Sequence, residues 1–194
     1  MSIHERLLIH RLKQRDEVAF TEVVRLYQHK VFNLLYRMVG NREEAEDVAQ
    51  EVFVTVFKNV DGFRGDSKFS TWLYRVAANH CKNRIKYLAR RNRTTGDGLD
   101  GVPERGMEDG GQAPLQSHID GPDKVLEGRQ LEALVQRAMA LLDEEHRLLI
   151  ILRDVEDLSY QEIAEITSQN EGTVKSRLHR ARMAIKEYVE KHTG

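Results

Sequence analysis

The apolar residues of this chain recur every three or four positions on both sides of a single stretch rich in proline and glycine. That spacing places apolar side chains on one face of an α-helix, and no run alternates with the period of two typical of a half-buried strand. All three prolines and most of the glycines lie in the polar stretch between Gly96 and Gly128, which is typical of a linker. The sequence therefore predicts an all-α protein with two small helical domains, at 1–93 and 124–194, joined by a flexible acidic linker over 94–123.

The periodic segments also predict individual helices. In the first half, one helix over 18–39 is expected to end at Gly40. A second begins after Asn41, which stands three residues before Glu44 as in a capping box, and reaches about residue 60. A loop over 63–69 (FRGDSKF) and a long basic helix over 70–91 follow. In the second half, helices are predicted near 124–141, 144–153, 160–167 and 171–190.

Charge is distributed unevenly along the chain, although the formal net charge is only -1. Residues 64–93 carry nine lysines and arginines against one aspartate, and residues 173–194 carry six basic against two acidic residues. Residues 95–127 carry eight acidic and two basic residues. A polyanion that bound both basic segments would gain free energy by releasing counterions. The pattern favours nucleic-acid binding by both halves, with ordinary solvated helix faces as the alternative for either segment alone.

The strongest local pattern lies at residues 158–189 and is typical of a helix-turn-helix. Ser159 and Glu162 form a capping box for its first helix, and Asn170 can cap the second after a short turn. On the second helix, Val174, Leu178, Ala181 and Ile185 form one stripe that is predicted to face the core. The outward residues are Thr173, Ser176, His179, Arg180 and Met183, flanked by Lys175, Arg177 and Arg182. Those near the amino end are placed to meet base edges in a major groove, and a charged exterior without that role is the alternative.

The helix that follows Asn41 has a different character. Its core stripe is Val48, Ala49, Val52, Phe53, Val56 and Val60, and Asp47, Gln50, Glu51, Val54 and Lys58 lie on the opposite side. Acidic groups around an exposed valine suit a protein partner that carries arginines. A solvated surface without a partner is the alternative.

The long basic helix combines a core stripe with a polar side. Leu73, Tyr74, Ala77, Cys81, Ile85 and Leu88 are predicted to face the core, and Arg75, Asn79, Lys82 and Lys86 line a side that could follow a phosphate backbone. Trp72 lies beside that basic side, and aromatic groups among basic ones suit unstacked, single-stranded bases. Packing of Trp72 in the core is the alternative. Arg84 falls among the apolar positions, and only snorkelling or a local bend would account for it.

Several classes of protein are disfavoured by what the sequence lacks. No apolar run approaches the ~20 residues needed to cross a bilayer, and the first residues are too charged for a signal peptide, so a cytoplasmic protein without membrane insertion is expected. The single cysteine, Cys81, cannot form an internal disulfide, and no zinc-ligand spacing is present. Neither a phosphate-binding glycine loop nor a His-Glu-x-x-His motif occurs. We therefore expect no cofactor, no metal, no small-molecule substrate and no enzymatic activity.

Three segments in order carry a family resemblance. DVAQEVFVTVF (47–57), FRGDSKFSTWLYRVAANHCKN (63–83) and LSYQEIAEITSQNEGTVKSRLHRAR (158–182) resemble regions 2.2, 2.3 to 2.4 and 4.2 of extracytoplasmic-function sigma factors, which form group 4 of the sigma-70 family. The resemblance is greatest to the sigma-E type. It implies a subunit that binds core RNA polymerase and directs promoter recognition, DNA melting and transcription initiation in a stress response.

The resemblance also implies roles for particular residues. Those that would dock on the clamp of the polymerase beta-prime subunit are Asp47, Gln50 and Glu51, with Val54 and Lys58 on the same face. Those that would capture a flipped base of the minus-10 element and hold the nearby backbone are Phe63, Arg64, Ser67, Lys68, Phe69, Trp72, Arg75, Asn79, Lys82 and Lys86. Those that would read the minus-35 element are Thr173, Lys175, Ser176, Arg177, His179 and Arg180.

Further partners are implied in the same way. The second half would contact the flap of the beta subunit, and an anti-sigma factor would mask both halves. Many relatives have a small residue followed by proline near the start of the recognition helix, where this chain has Ser168, Gln169 and Asn170. A LuxR-type helix-turn-helix regulator that works without polymerase is the alternative function, but it would need a dimer interface or receiver domain in the first half.

Overall fold

The computed structural model describes residues 3–94 and 122–193, and within them every regular element is helical. The helices are α1 (Ile3–Lys13), α2 (Glu17–Val39), α3 (Arg42–Asn59), α4 (Phe69–Thr94), α5 (Pro122–Leu141), α6 (Glu144–Ile150), α7 (Tyr160–Thr167) and α8 (Glu171–Thr193). A 3₁₀ turn at Val60–Gly62 follows α3, and a π-helical turn at Ile151–Val155 continues α6. The all-α prediction is confirmed. Residues 95–121 of the predicted linker lie outside the described residues.

Helix α1 was not predicted, because its segment is heavily charged and its apolar stripe is narrow. Leu8, Ile9 and Leu12 are nevertheless buried, and they pack α1 against α2. The connection is fixed by Asp16, whose side chain accepts hydrogen bonds from the backbone N–H groups of Val18 (2.9 Å) and Ala19 (3.1 Å). This carboxylate satisfies donors that the first turn of α2 would otherwise leave without partners.

The turn between α2 and α3 follows the signals read in the sequence. Gly40 adopts a left-handed conformation (φ 75°), which glycine accepts without steric cost, and its N–H donates to the Tyr36 carbonyl at 2.8 Å. Asn41 then caps α3, since its side-chain oxygen accepts from the Glu44 N–H at 2.9 Å. The predicted N-cap is confirmed, and α3 begins directly after it.

The first half is built around α2, α3 and α4, whose predicted core stripes meet in its interior. On α3, Val48, Val52 and Val56 are fully buried, as is Val60 in the turn that follows. On α4, Leu73, Tyr74, Ala77 and Cys81 are buried, whereas Ile85 and Leu88 are only partly so. The polar sides of α3 and α4 are consequently left on the surface.

Because Cys81 belongs to this core, we expect its thiol to resist alkylating and disulfide reagents in the folded protein. Its side chain has no exposed surface, and burial raises its pKa to about 12, so little reactive thiolate forms near pH 8. Labelling with a chromogenic disulfide reagent should be roughly 100-fold or more slower for native protein than for protein in denaturant. Equal rates in the two conditions would show that Cys81 is accessible.

The second half contains α5 to α8, and α8 packs against α5, α6 and α7. Its core includes Leu148, Leu149, Ile151, Leu152, Ile163, Val174 and Leu178. Arg147 stabilises the α5–α6 corner, since its guanidinium donates to the carbonyls of Met139 (3.0 Å), Ala140 (2.6 Å) and Leu142 (2.9 Å). These carbonyls lie in the last turn of α5 and just beyond it, where a helix leaves acceptors without intrahelical donors.

The two halves pack against each other. Helix α7 lies along α4, and α6 contacts α2. Arg147 reaches across to donate to the carbonyl of Met38 at 2.8 Å, and the hydroxyl of Tyr74 donates to the carboxylate of Glu156. Burial and this carboxylate raise the pKa of Tyr74. One continuous cluster of buried apolar side chains runs through both halves.

Among the described helices, none combines the length and the apolar character needed to cross a membrane.

Candidate functional site

The acidic face, which comprises Asp47, Gln50, Glu51, Val54 and Lys58, is exposed along α3. Spacings of three and four residues bring these side chains to one side of the helix. Val54 keeps 49% of its surface exposed, so the face presents an apolar group among the polar ones. Asp47 forms no hydrogen bond or ion pair with any described residue, so its carboxylate is free to meet a partner.

Arg84 joins the acidic face to α4, and these ion pairs explain its position among apolar residues, for which the sequence suggested only snorkelling or a local bend. Its guanidinium donates to Glu44 at 2.7 Å and to Glu51 at 3.0 Å, and only 18% of its side chain is exposed. His80, also on α4, lies 3.5 Å from the other oxygen of Glu51 and is hydrogen-bonded to Thr55 at 2.9 Å. The orientation of Glu51 is therefore fixed from α4. No local pattern identifies this cluster, because its members belong to different helices.

An open depression of ≈ 460 Å³ lies between the loop over 63–69 and the first turns of α4. Its wall consists of residues 62–67 together with Trp72, Arg75 and Glu165. Gly65 makes the loop turn with φ 85°, a conformation that side-chain-bearing residues rarely adopt. The Lys13 ammonium donates to the Phe63 carbonyl at 2.7 Å and anchors the loop to α1.

Two aromatic residues predicted to touch a base lie beneath the loop instead of on its surface. Phe63 and Phe69 are 3% and 1% exposed, and their ring centroids lie 5.5 Å apart in an edge-to-face arrangement. Trp72 packs 5.7 Å from Phe63 and 5.6 Å from Phe69, and Tyr27 closes the cluster from α2. Phe63 lines the depression, and Phe69 packs beneath it against Phe63 and Trp72. The half-buried Trp72 packs against the core and also lines the wall of the depression, so core packing holds in part, and contact with a base stays a prediction.

The basic face of α4 consists of Arg75, Asn79, Lys82 and Lys86, which intervals of four, three and four residues bring to one side. Asn79 and Lys86 are exposed, and Arg75 and Lys82 are partly buried. The Nε atom of Arg75 is buried without a hydrogen-bond partner among the described residues. A buried guanidinium donor without a partner is costly, and a phosphate or base oxygen would satisfy it.

The helix-turn-helix forms as its sequence signals predict. The Ser159 side chain accepts from the Glu162 N–H, and the Glu162 carboxylate accepts from the Ser159 N–H at 2.9 Å, so both halves of the capping box are present. Ser168 ends α7 in the left-handed conformation (φ 55°), and Asn170 caps α8 by accepting from the Thr173 N–H at 2.7 Å. Asn170 therefore performs the capping role predicted for it.

The outward residues of α8 differ in their exposure and in the contacts that they make with other helices. Lys175, Ser176, His179 and Arg180 are exposed, and Thr173 is partly buried. Arg177 is held by Glu145 of α6, and Arg182 donates to Asp154 at 3.2 Å through Nε. Arg177, predicted to read DNA, thus also joins the recognition helix to α6. Of the two arginines predicted to read DNA on α8, Arg180 is the exposed one and forms no ion pair with a described residue.

Two acidic residues of α7, Glu162 and Glu165, lie against the loop over 63–69. The sequence pattern did not predict this contact. Lys68 lies 2.8 Å from the carboxylate of Glu162, and this hydrogen bond raises the pKa of Lys68. Burial raises the pKa of Glu162, but the hydrogen bonds from Lys68 and Ser159 outweigh it, so the net shift is downward. Glu165, one turn on, completes the wall of the depression. A residue predicted to bind DNA is therefore paired within the chain.

Comparison with protein families assigns each half separately. Residues 23–92 match the Sigma-70 region 2 family, and residues 132–185 match a Sigma-70 region 4 family. The two matches fall on the two helical halves, in the order that the three sequence motifs indicate.

Whole-chain relatives are also similar. The ECF RNA polymerase sigma-E factor of Escherichia coli (strain K12) is 38% identical over 186 residues, covering 96% of this chain and 94% of that protein. The RNA polymerase sigma-H factor of Pseudomonas aeruginosa is 38% identical over 178 residues, with 92% and 90% covered.

Solved structures share the fold. CnrH in complex with the cytosolic domain of CnrY has a TM-score of 0.67 at 18% identity, covering 96% of this chain and 97% of that one. The sigma factor RpoE of Bartonella quintana, in complex with the anti-sigma factor NepR, has a TM-score of 0.66 at 20% identity, with 88% and 96% covered.

Proposed function

This chain belongs to the extracytoplasmic-function sigma factors of the sigma-70 family, and we propose that each of three surfaces performs one step of promoter recognition. The chain is an alternative sigma factor that directs transcription initiation by RNA polymerase. The acidic face binds the polymerase, the depression with the basic face binds the minus-10 element, and α8 reads the minus-35 element. A LuxR-type regulator is not favoured, because the first half matches sigma region 2 and not a receiver or dimerisation domain.

The acidic face is proposed to dock on the clamp of the beta-prime subunit. Asp47 offers an exposed carboxylate without an internal partner, and Val54 supplies an apolar centre. Carboxylates and arginines form strong charge-assisted hydrogen bonds, and an apolar contact between them excludes water. Glu51, held by Arg84 and His80, presents a fixed carboxylate on the same face.

The depression is proposed to capture a base of the minus-10 element from the non-template strand. Extruding a base from the duplex costs a few kcal/mol, and a preformed pocket with an aromatic wall recovers part of it. Trp72 supplies that wall, and Arg64 and Ser67 contribute polar groups from the loop. The basic face then continues away from the pocket, where Lys82 and Lys86 can follow the phosphates.

The remaining partners follow from family membership. We propose that the second half contacts the flap of the beta subunit, and that an anti-sigma factor controls the chain, as the anti-sigma factor NepR is in complex with RpoE of Bartonella quintana. Because it works as a subunit of RNA polymerase, the chain is expected in the cytoplasm and is expected to catalyse no reaction by itself.

The single observation that carries this function is the whole-chain similarity to sigma-E factors, with both sigma regions on the two helical halves. Run-off transcription with purified sigma-free core polymerase on a promoter library tests it. Transcripts that start at discrete sites only when the protein is added are the expected result. DNA binding without polymerase, together with no transcripts, would instead favour an independent regulator.

On α8, we expect Arg180→Ala to weaken recognition of the minus-35 element by ~1 to 3 kcal/mol, the range for loss of one good base contact. Holoenzyme binding to a promoter mapped by run-off transcription measures the change. Lys186→Ala is the matched control, because it removes the same charge from an exposed site further along α8. If the two substitutions weaken promoter binding equally, Arg180 contributes only its positive charge and no specific base contact.

A further inference from the structure

The acidic face contains a shallow depression of ≈ 330 Å³ that is lined from two helices. Asp47, Gln50, Glu51 and Val54 line it from α3, and Arg84 lines it from α4. Arg84 is not among the residues that the family resemblance assigns to polymerase docking, and its charge is opposite to that of the carboxylates around it. A cation in this place either weakens the attraction of the face for a basic partner or orients the carboxylates beside it.

The guanidinium of Arg84 is held firmly at its less exposed end. One terminal nitrogen donates to the Glu44 carboxylate at 2.7 Å, and only 18% of the Arg84 side chain and 21% of the Glu44 side chain are exposed. The backbone of Glu44 is itself fixed, because its N–H donates to the Asn41 side chain at 2.9 Å. A partly buried ion pair is screened less by salt than one on the open surface. The guanidinium is therefore anchored before any partner binds.

The other end of the guanidinium fixes Glu51. Its second terminal nitrogen donates to Oε1 of Glu51 at 3.0 Å, while Nδ1 of His80 lies 3.5 Å from Oε2. His80 is in turn hydrogen-bonded to the Thr55 hydroxyl at 2.9 Å. Both carboxylate oxygens are thus approached from α4, although 53% of the Glu51 side chain stays exposed. A carboxylate has about four lone-pair sites, so Glu51 can still accept hydrogen bonds from a partner.

Resting on the proposed function, we propose that Arg84 is a positioning residue for polymerase docking, which holds the Glu51 carboxylate in the orientation in which the clamp binds it. An unrestrained glutamate would lose rotamer freedom when a partner bound it, and a carboxylate fixed in advance avoids that loss. Glu44 anchors the guanidinium and therefore acts through Arg84.

Charge and orientation predict opposite effects for the loss of Arg84. Without its guanidinium the face would carry one more negative charge, which would attract a basic clamp more strongly and raise the association rate. Loss of the restraint on Glu51 would instead raise the dissociation rate. The direction of the change in affinity therefore distinguishes an arginine that orients the face from one that only offsets its charge.

The test is binding of the labelled full-length protein to purified core polymerase, with association and dissociation rates measured separately. Arg84→Met removes the guanidinium and keeps an apolar stem, and Arg84→Lys keeps the charge without the forked geometry. Arg25→Met is the matched control, since it makes the same replacement at an exposed position of α2. Glu51→Ala and the double variant R84M/E51A complete a double-mutant cycle.

We expect Arg84→Met to bind core polymerase about 10-fold more weakly than the wild type, a loss in the range of coupling energies between contacting residues. The dissociation rate should account for it. Arg84→Lys should recover part of the affinity, because an ammonium can pair with one of the two carboxylates, and Arg25→Met should stay within about twofold of the wild type. In the Glu51→Ala background, Arg84→Met should change affinity by less than about twofold, because the carboxylate that Arg84 orients is gone.

A loss of stability is separated from a loss of orientation by the double variant E44Q/R84M. Arg84→Met leaves the poorly exposed Glu44 carboxylate without its partner, which destabilises the first half, whereas E44Q/R84M removes both charges of that pair. Denaturant unfolding should show E44Q/R84M to be more stable than Arg84→Met, and both should bind polymerase equally weakly. Recovery of wild-type affinity by E44Q/R84M would overturn the positioning role.

Failure of this role and failure of the docking surface give different results. If Asp47→Arg and Glu51→Ala bind weakly but Arg84→Met binds as tightly as the wild type or more so, the acidic face still docks and Arg84 does not position it. An equal loss from Arg84→Met with Glu51 present or absent has the same meaning. Wild-type binding by both Asp47→Arg and Glu51→Ala would contradict the docking surface itself.

Discussion

Asp47→Arg is expected to reduce the affinity of this sigma factor for core RNA polymerase by about 100-fold or more, which corresponds to roughly 3 kcal/mol. The substitution places a guanidinium where the acidic face offers a carboxylate that has no internal partner. If the polymerase surface carries arginines, like charges then meet at the centre of the contact, and such pairs cost several kcal/mol. Binding of labelled sigma factor to purified core polymerase measures the loss.

Glu46→Arg is the matched control for this experiment. It makes the same change of charge on the same helix, one position away and therefore about 100° around from Asp47. The substitution removes only the exposed ion pair between Glu46 and Arg42 (2.9 Å), which contributes at most ~0.5 kcal/mol to stability. Both variants should keep the helical circular dichroism of the wild type. If Asp47→Arg binds core polymerase within twofold of Glu46→Arg, the acidic face is not the docking surface.

Phe69→Ala is expected to lower the free energy of unfolding of the first half by ~3 to 5 kcal/mol, as for other buried phenylalanines. The ring is 1% exposed and packs against Phe63, Trp72 and Tyr27, so its loss leaves a cavity under the loop. Trp72, the only tryptophan, touches that ring and reports the transition by fluorescence during denaturant unfolding.

Arg64→Ala provides the contrast on the same loop. Arg64 is exposed, so its removal should change stability by no more than ~0.5 kcal/mol while it weakens binding of the minus-10 strand in the holoenzyme. A loss below ~1 kcal/mol for Phe69→Ala, with weakened strand binding, would instead show that Phe69 meets the base directly. The two variants therefore distinguish a residue that supports the pocket from one that contacts the base.

The features that were read correctly from the sequence are local ones. The spacing of apolar residues determined the helices of both halves except α1, and the caps at Asn41, Ser159 and Asn170 determined where three of them begin. Caps act over three or four residues, and helical periodicity acts over a few turns, so a short window of sequence contains the whole cause. The order of the three motifs likewise needed no tertiary information to indicate the family.

What the tertiary structure decided depends on residues that are far apart in the chain. Arg84 gains its role from Glu44 and Glu51 on another helix, and the burial of Phe63 and Phe69 depends on Trp72 and Tyr27 around them. Helix α1 is fixed by packing on α2 and not by a strong pattern of its own.

The pairing of Lys68 with Glu162 joins the two halves and could not be read from either segment. Side chains on separate helices meet only after the helices have packed, and the free energy of that packing comes from apolar burial throughout the core. Local sequence therefore determined which surfaces exist, whereas tertiary packing determined that α7 lies over one of them.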